Sequence, residues 1–248
     1  WSSSSHGNLT VSGALEHSCN VFFYEMGYRL GSGHNGRVND KGGLARLKKY
    51  ADMFGLTDKS GVEITESAPH FSTTDILRSC IGQGSHAYAP IQLARYVTAV
   101  ANEGTVYQYT LLNRLEDSDG NVLQTFEPQV RNQIDVLDTE EWNAIHSGMR
   151  MVVENTKEFD GFPIEAAGKT GTAQQNLKRP NHALFVGYAP YDDPEISIAT
   201  RIAYGYTSHN AAKLARNVFA YYFNVENEDE LLNGQAANGN SSSNEISD

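Results

Sequence analysis

Ala166-Ala167-Gly168-Lys169-Thr170-Gly171-Thr172-Ala173-Gln174 is the stretch on which the reading of this chain turns. Small apolar residues and β-branched Thr170 and Thr172 suit a strand. The glycines do not, because Gly in a strand interior packs nothing and loses the most entropy on folding. Gly168 and Gly171 therefore predict that something approaches this backbone closely. Lys169 offers a fixed positive charge for a carboxylate or for moving a proton. Thr170 and Thr172 offer hydroxyls, and an exposed strand edge can pair with an extended peptide. On these residues alone, an irregular edge strand with a solvated lysine is the other reading.

Working outward, strands at 164–174, 182–189 and 195–203 predict a meander, with Pro190-Tyr191-Asp192-Asp193-Pro194 turning between the last two. A final helix over 211–223 carries Leu214, Val218, Tyr221 and Tyr222. Upstream, Asp138 or Thr139 can cap a helix running to about Val153, with Glu140 and Glu141 in the first turn where the dipole favours them. Strands at 106–114 and 122–126 flank a turn at Asp117-Ser118-Asp119-Gly120-Asn121, whose composition accounts for Ser118-Asp119-Gly120 fully. Pro90 opens a helix that ends at Gly104. Further helices fit 43–54, stopped by Gly55, then 21–30, and a short one over 9–17. The first eight residues read as frayed, 31–36 as a flexible loop, and 233–248 as a disordered Asn-, Ser- and Gly-rich tail. Helices followed by an antiparallel sheet closed by a helix read as α+β.

Composition narrows the function classes. The chain has 248 residues, of which 40% are hydrophobic and 20% charged, as in an ordinary globular protein. A formal net charge of −11 argues against nucleic acid as a partner. No run of eighteen apolar residues offers a membrane span. The two cysteines, Cys19 and Cys80, lack CxxC spacing and a His cluster, so no metal is expected. They read as free buried thiols, with a disulfide left open. The histidines form no Asp/Ser constellation and read as surface or satisfied core residues. Glu63, Glu66 and Asp75, in a loop-rich region, read as solvated charges.

A second signal is Ser18-Cys19-Asn20, where one predicted helix ends and another begins. Alone it is weak, since Ser208-His209-Asn210 and Ser242-Ser243-Asn244 repeat the pattern. The former suits the cap of the last helix, and Ser18 or Asn20 could equally be a cap.

Together the two signals resemble the Ser-x-Asn and Lys-Thr-Gly elements of penicillin-binding proteins. Ala14 to Tyr24 looks like the former and Gly168 to Gln174 like the latter. Ile81-Gly82-Gln83-Gly84, Pro90-Ile91-Gln92-Leu93-Ala94, Ala101-Asn102-Glu103-Gly104-Thr105 and His182-Ala183-Leu184-Phe185-Val186-Gly187-Tyr188-Ala189-Pro190 resemble the class B members in particular. The similarity runs from about His6 to Tyr222, with the motifs in family order.

The resemblance implies the penicillin-binding-protein/β-lactamase-like α+β fold, an antiparallel sheet flanked by helices. It also implies a peptidoglycan D,D-transpeptidase that works by serine acyl transfer on stem peptides and is a target of β-lactams. Ser18 would relay a proton to the leaving or attacking amine. Asn20 would hydrogen-bond the substrate amide and help place the nucleophile's partner lysine. Lys169 would supply positive potential. Thr170 and Thr172 would bind the terminal carboxylate, with the Thr172 N–H as an oxyanion donor, and Gly171 would keep the strand face open. No cofactor is implied. The implied partners are stem peptides, β-lactams and the cell-wall synthesis machinery, at the extracytoplasmic side of the cell membrane.

One element is missing. No lysine here has Ser or Thr three residues before it. The resemblance places that Ser-x-x-Lys element, with the nucleophile, the first strands and a membrane anchor, upstream of residue 1. The expectation is a partial transpeptidase domain over 1–225 with a polar tail over 226–248, inactive by itself. A β-lactam-binding sensor or non-catalytic homologue would share these motifs. A β-lactamase would need a water-activating group, and the sequence offers no candidate.

Overall fold

The computed structural model describes residues 6–33, 37–226 and 231. The expected fraying before His6, the centre of the 31–36 loop and nearly all of the expected polar tail lie outside the described residues. The chain divides into two compact units, one formed by residues 1–22 and 139–248 and the other by 23–138. The division falls inside helix α2.

The first unit is built on the predicted meander. Strands β5 (Ala167–Ala173), β6 (His182–Ala189) and β7 (Ile196–Ile202) form an antiparallel sheet in the order β5-β6-β7, so β5 is an edge strand among the described residues. The register sets Lys169 opposite Val186, Thr170 opposite Phe185 and Gly171 opposite Leu184. Because side chains alternate along a strand, Thr170, Phe185 and Thr200 share one face, and Lys169 and Gly171 share the other.

On the Phe185 face lies helix α7 (Ser208–Tyr222), whose Ala211, Ala212, Ala215 and Phe219 are fully buried. They pack in one cluster with Phe185, Ala183, Val153 and Phe159. The run of alanines lets the helix come close, and Thr200 Oγ1 donates to Ala211 O at 3.0 Å across that contact. The expected Ser208–Asn210 cap moves back one residue. Thr207 occupies the N-cap position, while Ser208 is buried in the first turn, 1% exposed.

The other two helices of this unit are α1 (Val11–Glu16) and α6 (Thr139–Glu154). Helix α6 packs on both α1 and β5. The α1–α6 approach is close because Gly148 lacks a side chain, and a Cβ there would lie 2.9 Å from Leu15 Cβ. Ser12 Oγ donates to Ala144 O at 2.7 Å, and Asn155 Nδ2 donates to Glu16 Oε1 at 2.9 Å.

The second unit holds the rest of α2 (Asn20–Gly31), with α3 (Asp40–Met53), the single turn α4 (Ile76–Ser79) and α5 (Pro90–Ala101). Its strands depart from expectation. The predicted strand over 106–114 is split into β1 (Thr105–Gln108) and β2 (Arg114–Glu116). β2 pairs with β3 (Val122–Thr125) across the expected turn, whereas β1 pairs with an unexpected strand, β4 (Gln129–Gln133). The break has a cause distant in sequence. The Glu63 carboxylate accepts from Leu111 N at 2.9 Å and from Thr110 Oγ1 at 2.5 Å, and Tyr109 N donates to Ser60 O, which draws the backbone out of a ladder.

All three carboxylates expected to be solvated have structural work, Glu63 in that break of the strand. Glu66 is 9% exposed and accepts from Ser60 N, from Ser60 Oγ and from Gln92 Nε2. Asp75 occupies the N-cap position of α4 and accepts from Arg78 N at 3.0 Å. Neither Cys19 nor Cys80 is in a disulfide; Cys19 is buried and Cys80 half-buried. Among the described residues, no helix is long and apolar enough to cross a membrane.

Candidate functional site

Ser18 takes its position from the way α1 ends. His17 is the C-cap, Ser18 N donates to Leu15 O at 3.2 Å, and Cys19 N donates to Ala14 O at 2.9 Å. This pair of bonds is the Schellman closure, which places the residue after the cap in the left-handed region and usually makes it glycine. Here that residue is Ser18, with φ +46°. A serine held in so unfavourable a conformation costs about 1 kcal/mol, which points to a use for its hydroxyl.

That hydroxyl has a partner in the sheet. Lys169 Nζ donates to Ser18 Oγ, joining the end of α1 to the middle of β5. The same ammonium donates to Thr170 O at 3.0 Å. The chain of support runs from α1 through α6 to β5, so the contact is held by packed elements on both sides.

The two strand glycines have different explanations. A Cβ on Gly168 would lie 2.3 Å from Phe185 Cζ and 2.8 Å from Val186 O, so the chain's own core requires glycine there. Among the described residues, a Cβ on Gly171 would meet only Leu184 Cβ, at an ordinary 3.7 Å. The close approach expected at both positions is therefore internal at Gly168. At Gly171 the described residues leave the space open.

Of the expected site residues, the structure brings Ser18, Lys169 and Gly171 to one face of β5. Thr170 and Thr172 are half-buried on the opposite face of the same strand. Because β5 is the edge strand among the described residues, both faces border the same rim of the sheet. Asn20 is exposed as the first residue of α2. Among the described residues, no three His, Cys, Asp or Glu side chains are grouped to hold a metal ion.

Sequence reasoning gave no role to the cluster at the far end of β5. His182, opposite Ala173, is 9% exposed. Its Nδ1 accepts from Tyr204 N at 3.1 Å, and its Nε2 lies 3.2 Å from Gln175 Oε1. Burial and then the neighbouring Arg201 charge push its pKa below the usual 6.5. The placement of His182 directly after a loop in a strand pattern was the available signal, but one histidine without an acidic neighbour suggests no chemistry.

This sequence matches the family described as the penicillin binding protein transpeptidase domain over residues 1–220. It is 30% identical to peptidoglycan D,D-transpeptidase MrdA of Haemophilus influenzae, over 90% of this chain and 38% of that protein. It is 26% identical to penicillin-binding protein 2A of Bacillus subtilis, over 94% of this chain and 36% of that protein. Its fold matches that of penicillin-binding protein 2B from Streptococcus pneumoniae with a TM-score of 0.76 at 22% identity, covering 88% of this chain and 39% of the other. The chain thus spans less than two-fifths of the length of these curated relatives. With the match extending over both the Ser18–Asn20 corner and the Lys169–Thr172 strand, the chain belongs to the penicillin-binding-protein transpeptidase family.

Proposed function

We propose that this chain is part of a peptidoglycan D,D-transpeptidase that joins stem peptides through a serine ester. The observation that supports the reading is the Lys169–Ser18 hydrogen bond, which joins the Lys-Thr-Gly strand to the Ser-x-Asn corner. In the reaction a serine Oγ attacks the carbonyl carbon of the terminal D-Ala-D-Ala bond. The C–N bond breaks, a proton passes to the departing amine, and D-Ala leaves. An amine of a second stem then takes the acyl group and returns the proton to the serine.

In this reading Ser18 relays the proton, with the Lys169 charge beside it favouring transfer toward the amine. Asn20 holds the substrate amide. Thr170 and Thr172 bind the terminal carboxylate at the rim of β5, and the Thr172 N–H faces the developing oxyanion. The stem peptide adds as a strand along the outer edge of β5. The serine that is acylated belongs to the family's Ser-x-x-Lys element, which this sequence does not contain. In this reading β-lactams, stem peptides and cell-wall synthesis proteins are the partners, met at the outer side of the cell membrane.

The test is labelling of the full-length protein with a fluorescent penicillin. The expected result is a persistent adduct, with Lys169→Ala slowing its formation by about 10²–10³-fold. An adduct that hydrolyses within minutes would mean a β-lactamase. One that persists without any cross-linking of stem peptides would mean a sensor or a non-catalytic homologue. No adduct at all would end the reading.

A further inference from the structure

The segment 174–181 leaves β5 just beyond Thr172 and re-enters the sheet at His182. It is tied to the turn after β7 at several points. Arg179 Nη1 donates to the Tyr204 hydroxyl at 2.6 Å, and its guanidinium carbon lies 5.4 Å from the centre of the Tyr204 ring. Tyr206 N donates to Asn181 O at 3.1 Å. Tyr204 and Tyr206 both adopt left-handed backbone, at φ +56° and +67°, so the turn needs such ties to persist.

The His182 ring sits at the centre of this arrangement, 5.0 Å from the Tyr204 ring. Because Nδ1 accepts the Tyr204 N–H, the proton of the neutral ring resides on Nε2. Nε2 then donates to Gln175 Oε1, on the segment leaving β5. One tautomer satisfies both bonds. Arg201 Nη2, from β7, lies 3.4 Å from Nδ1, and Arg179 reaches the cluster through Tyr204. The charged groups facing the ring are thus cationic. A protonated ring would set an N–H against the Tyr204 N–H and a second positive charge against Arg201.

We propose that His182 is a positioning residue whose neutral ring fastens segment 174–181 to the turn after β7. In doing so it fixes the end of the strand along which a peptide would pair. The effect on catalysis rests on the transpeptidase reading; the fastening itself does not.

Amide hydrogen exchange in the full-length protein tests the fastening, with rates divided by intrinsic chemical exchange at each pH. In His182→Phe, which keeps a ring and loses both bonds, exchange over 174–181 should rise about tenfold, while β6 and β7 keep their protection. Gln175→Ala, which removes only the loop's side of the bond, should give a rise of about fivefold and guards against a His182 variant that fails to fold. In the wild type the segment should loosen as pH falls from about 7 to about 5, and in His182→Asn that response should vanish. Unchanged exchange in Gln175→Ala, or an equal pH response in His182→Asn, would overturn the proposal. Penicillin labelling of the same variants separates the two ideas. Slower acylation alongside faster exchange supports both. Normal acylation with faster exchange keeps the fastening and removes its effect on catalysis. A wild type that takes no label refutes the transpeptidase reading, while the exchange result still decides the fastening.

Discussion

Lys169 Nζ donates to Ser18 Oγ, and Ser18 makes itself available for that bond by standing in left-handed backbone where a glycine would be easier. Local stability and the site therefore want different residues at position 18. Ser18→Gly relieves the backbone, so the full-length protein should melt no lower than wild type, and its stability should rise by up to about 1 kcal/mol. Penicillin acylation should nevertheless fall by about 10²-fold or more, because the hydroxyl is gone. Ser18→Ala should lose the same activity without the gain in stability. Parallel melting and acylation measurements decide the matter: were Ser18→Gly to retain normal acylation, the hydroxyl would have no part in the chemistry.

The two glycines of β5 give a second pair of opposed outcomes. Gly168→Ala forces a Cβ into Phe185 and the Val186 carbonyl, so it should cost about 1–3 kcal/mol as overpacking does. Gly171→Ala meets only an ordinary contact with Leu184 and should leave the melting temperature nearly unchanged. Its methyl would stand on the Lys169 face, in space the described residues leave open. Acylation should therefore fall in Gly171→Ala, by about tenfold. In Gly168→Ala the loss should follow unfolding and disappear at lower temperature.

Much of this arrangement could be read before the structure, for identifiable reasons. The β5–β7 meander, α6 and α7 are each long enough to show a period, and each is bounded by turn or capping residues. β4 was missed because Gln129-Val130-Arg131-Asn132-Gln133 has one apolar side chain and so no alternation to detect. The predicted strand over 106–114 failed because Glu63, more than forty residues away, captures its backbone, and no local pattern records that. The motifs at Ser18–Asn20 and Lys169–Thr172 singled out Ser18 and Lys169, which are hydrogen-bonded to each other. They did not reveal that Lys169 and the threonines lie on opposite faces of one strand, nor that Gly168 answers to Phe185. Those are matters of register and packing.

Arg95 shows how the second unit holds an irregular segment in place. Its side chain is fully buried, with Nη1 donating to Lys59 O at 2.8 Å and to Ser60 O at 3.1 Å. Nη2 donates to Gly55 O, to Asp58 O at 3.0 Å and to Asp58 Oδ1 at 2.8 Å. One guanidinium thus orders the whole of 55–60, which has no ladder or helix of its own. Arg95→Met fills the space yet strands those acceptors, and should cost about 3–5 kcal/mol. Arg95→Lys should recover less than half of that, since an ammonium cannot reach acceptors spread around a planar fork. Chemical denaturation of the full-length protein would measure both. Equal stability of Arg95→Lys and wild type would show that charge alone suffices.

Glu66 gives this same region a defined response to acid. Burial by itself would raise its pKa, but the Ser60 N–H, the Gln92 amide, the Ser60 hydroxyl and the nearby Arg95 charge together hold it below the ordinary 4.5. The folded protein therefore binds the Glu66 proton less readily than the unfolded chain does. The stabilisation this represents is complete above pH 4.5 and is lost as pH falls through 4.5 toward the lower folded value. Glu66→Gln leaves a neutral amide among donors and should cost about 1–3 kcal/mol at neutral pH. The gap between wild type and Glu66→Gln should then narrow steadily below pH 4.5. Denaturation midpoints for the two proteins from about pH 7 to about pH 3 would trace it, and a gap that stayed constant over that range would mean the ionised carboxylate contributes nothing beyond its shape.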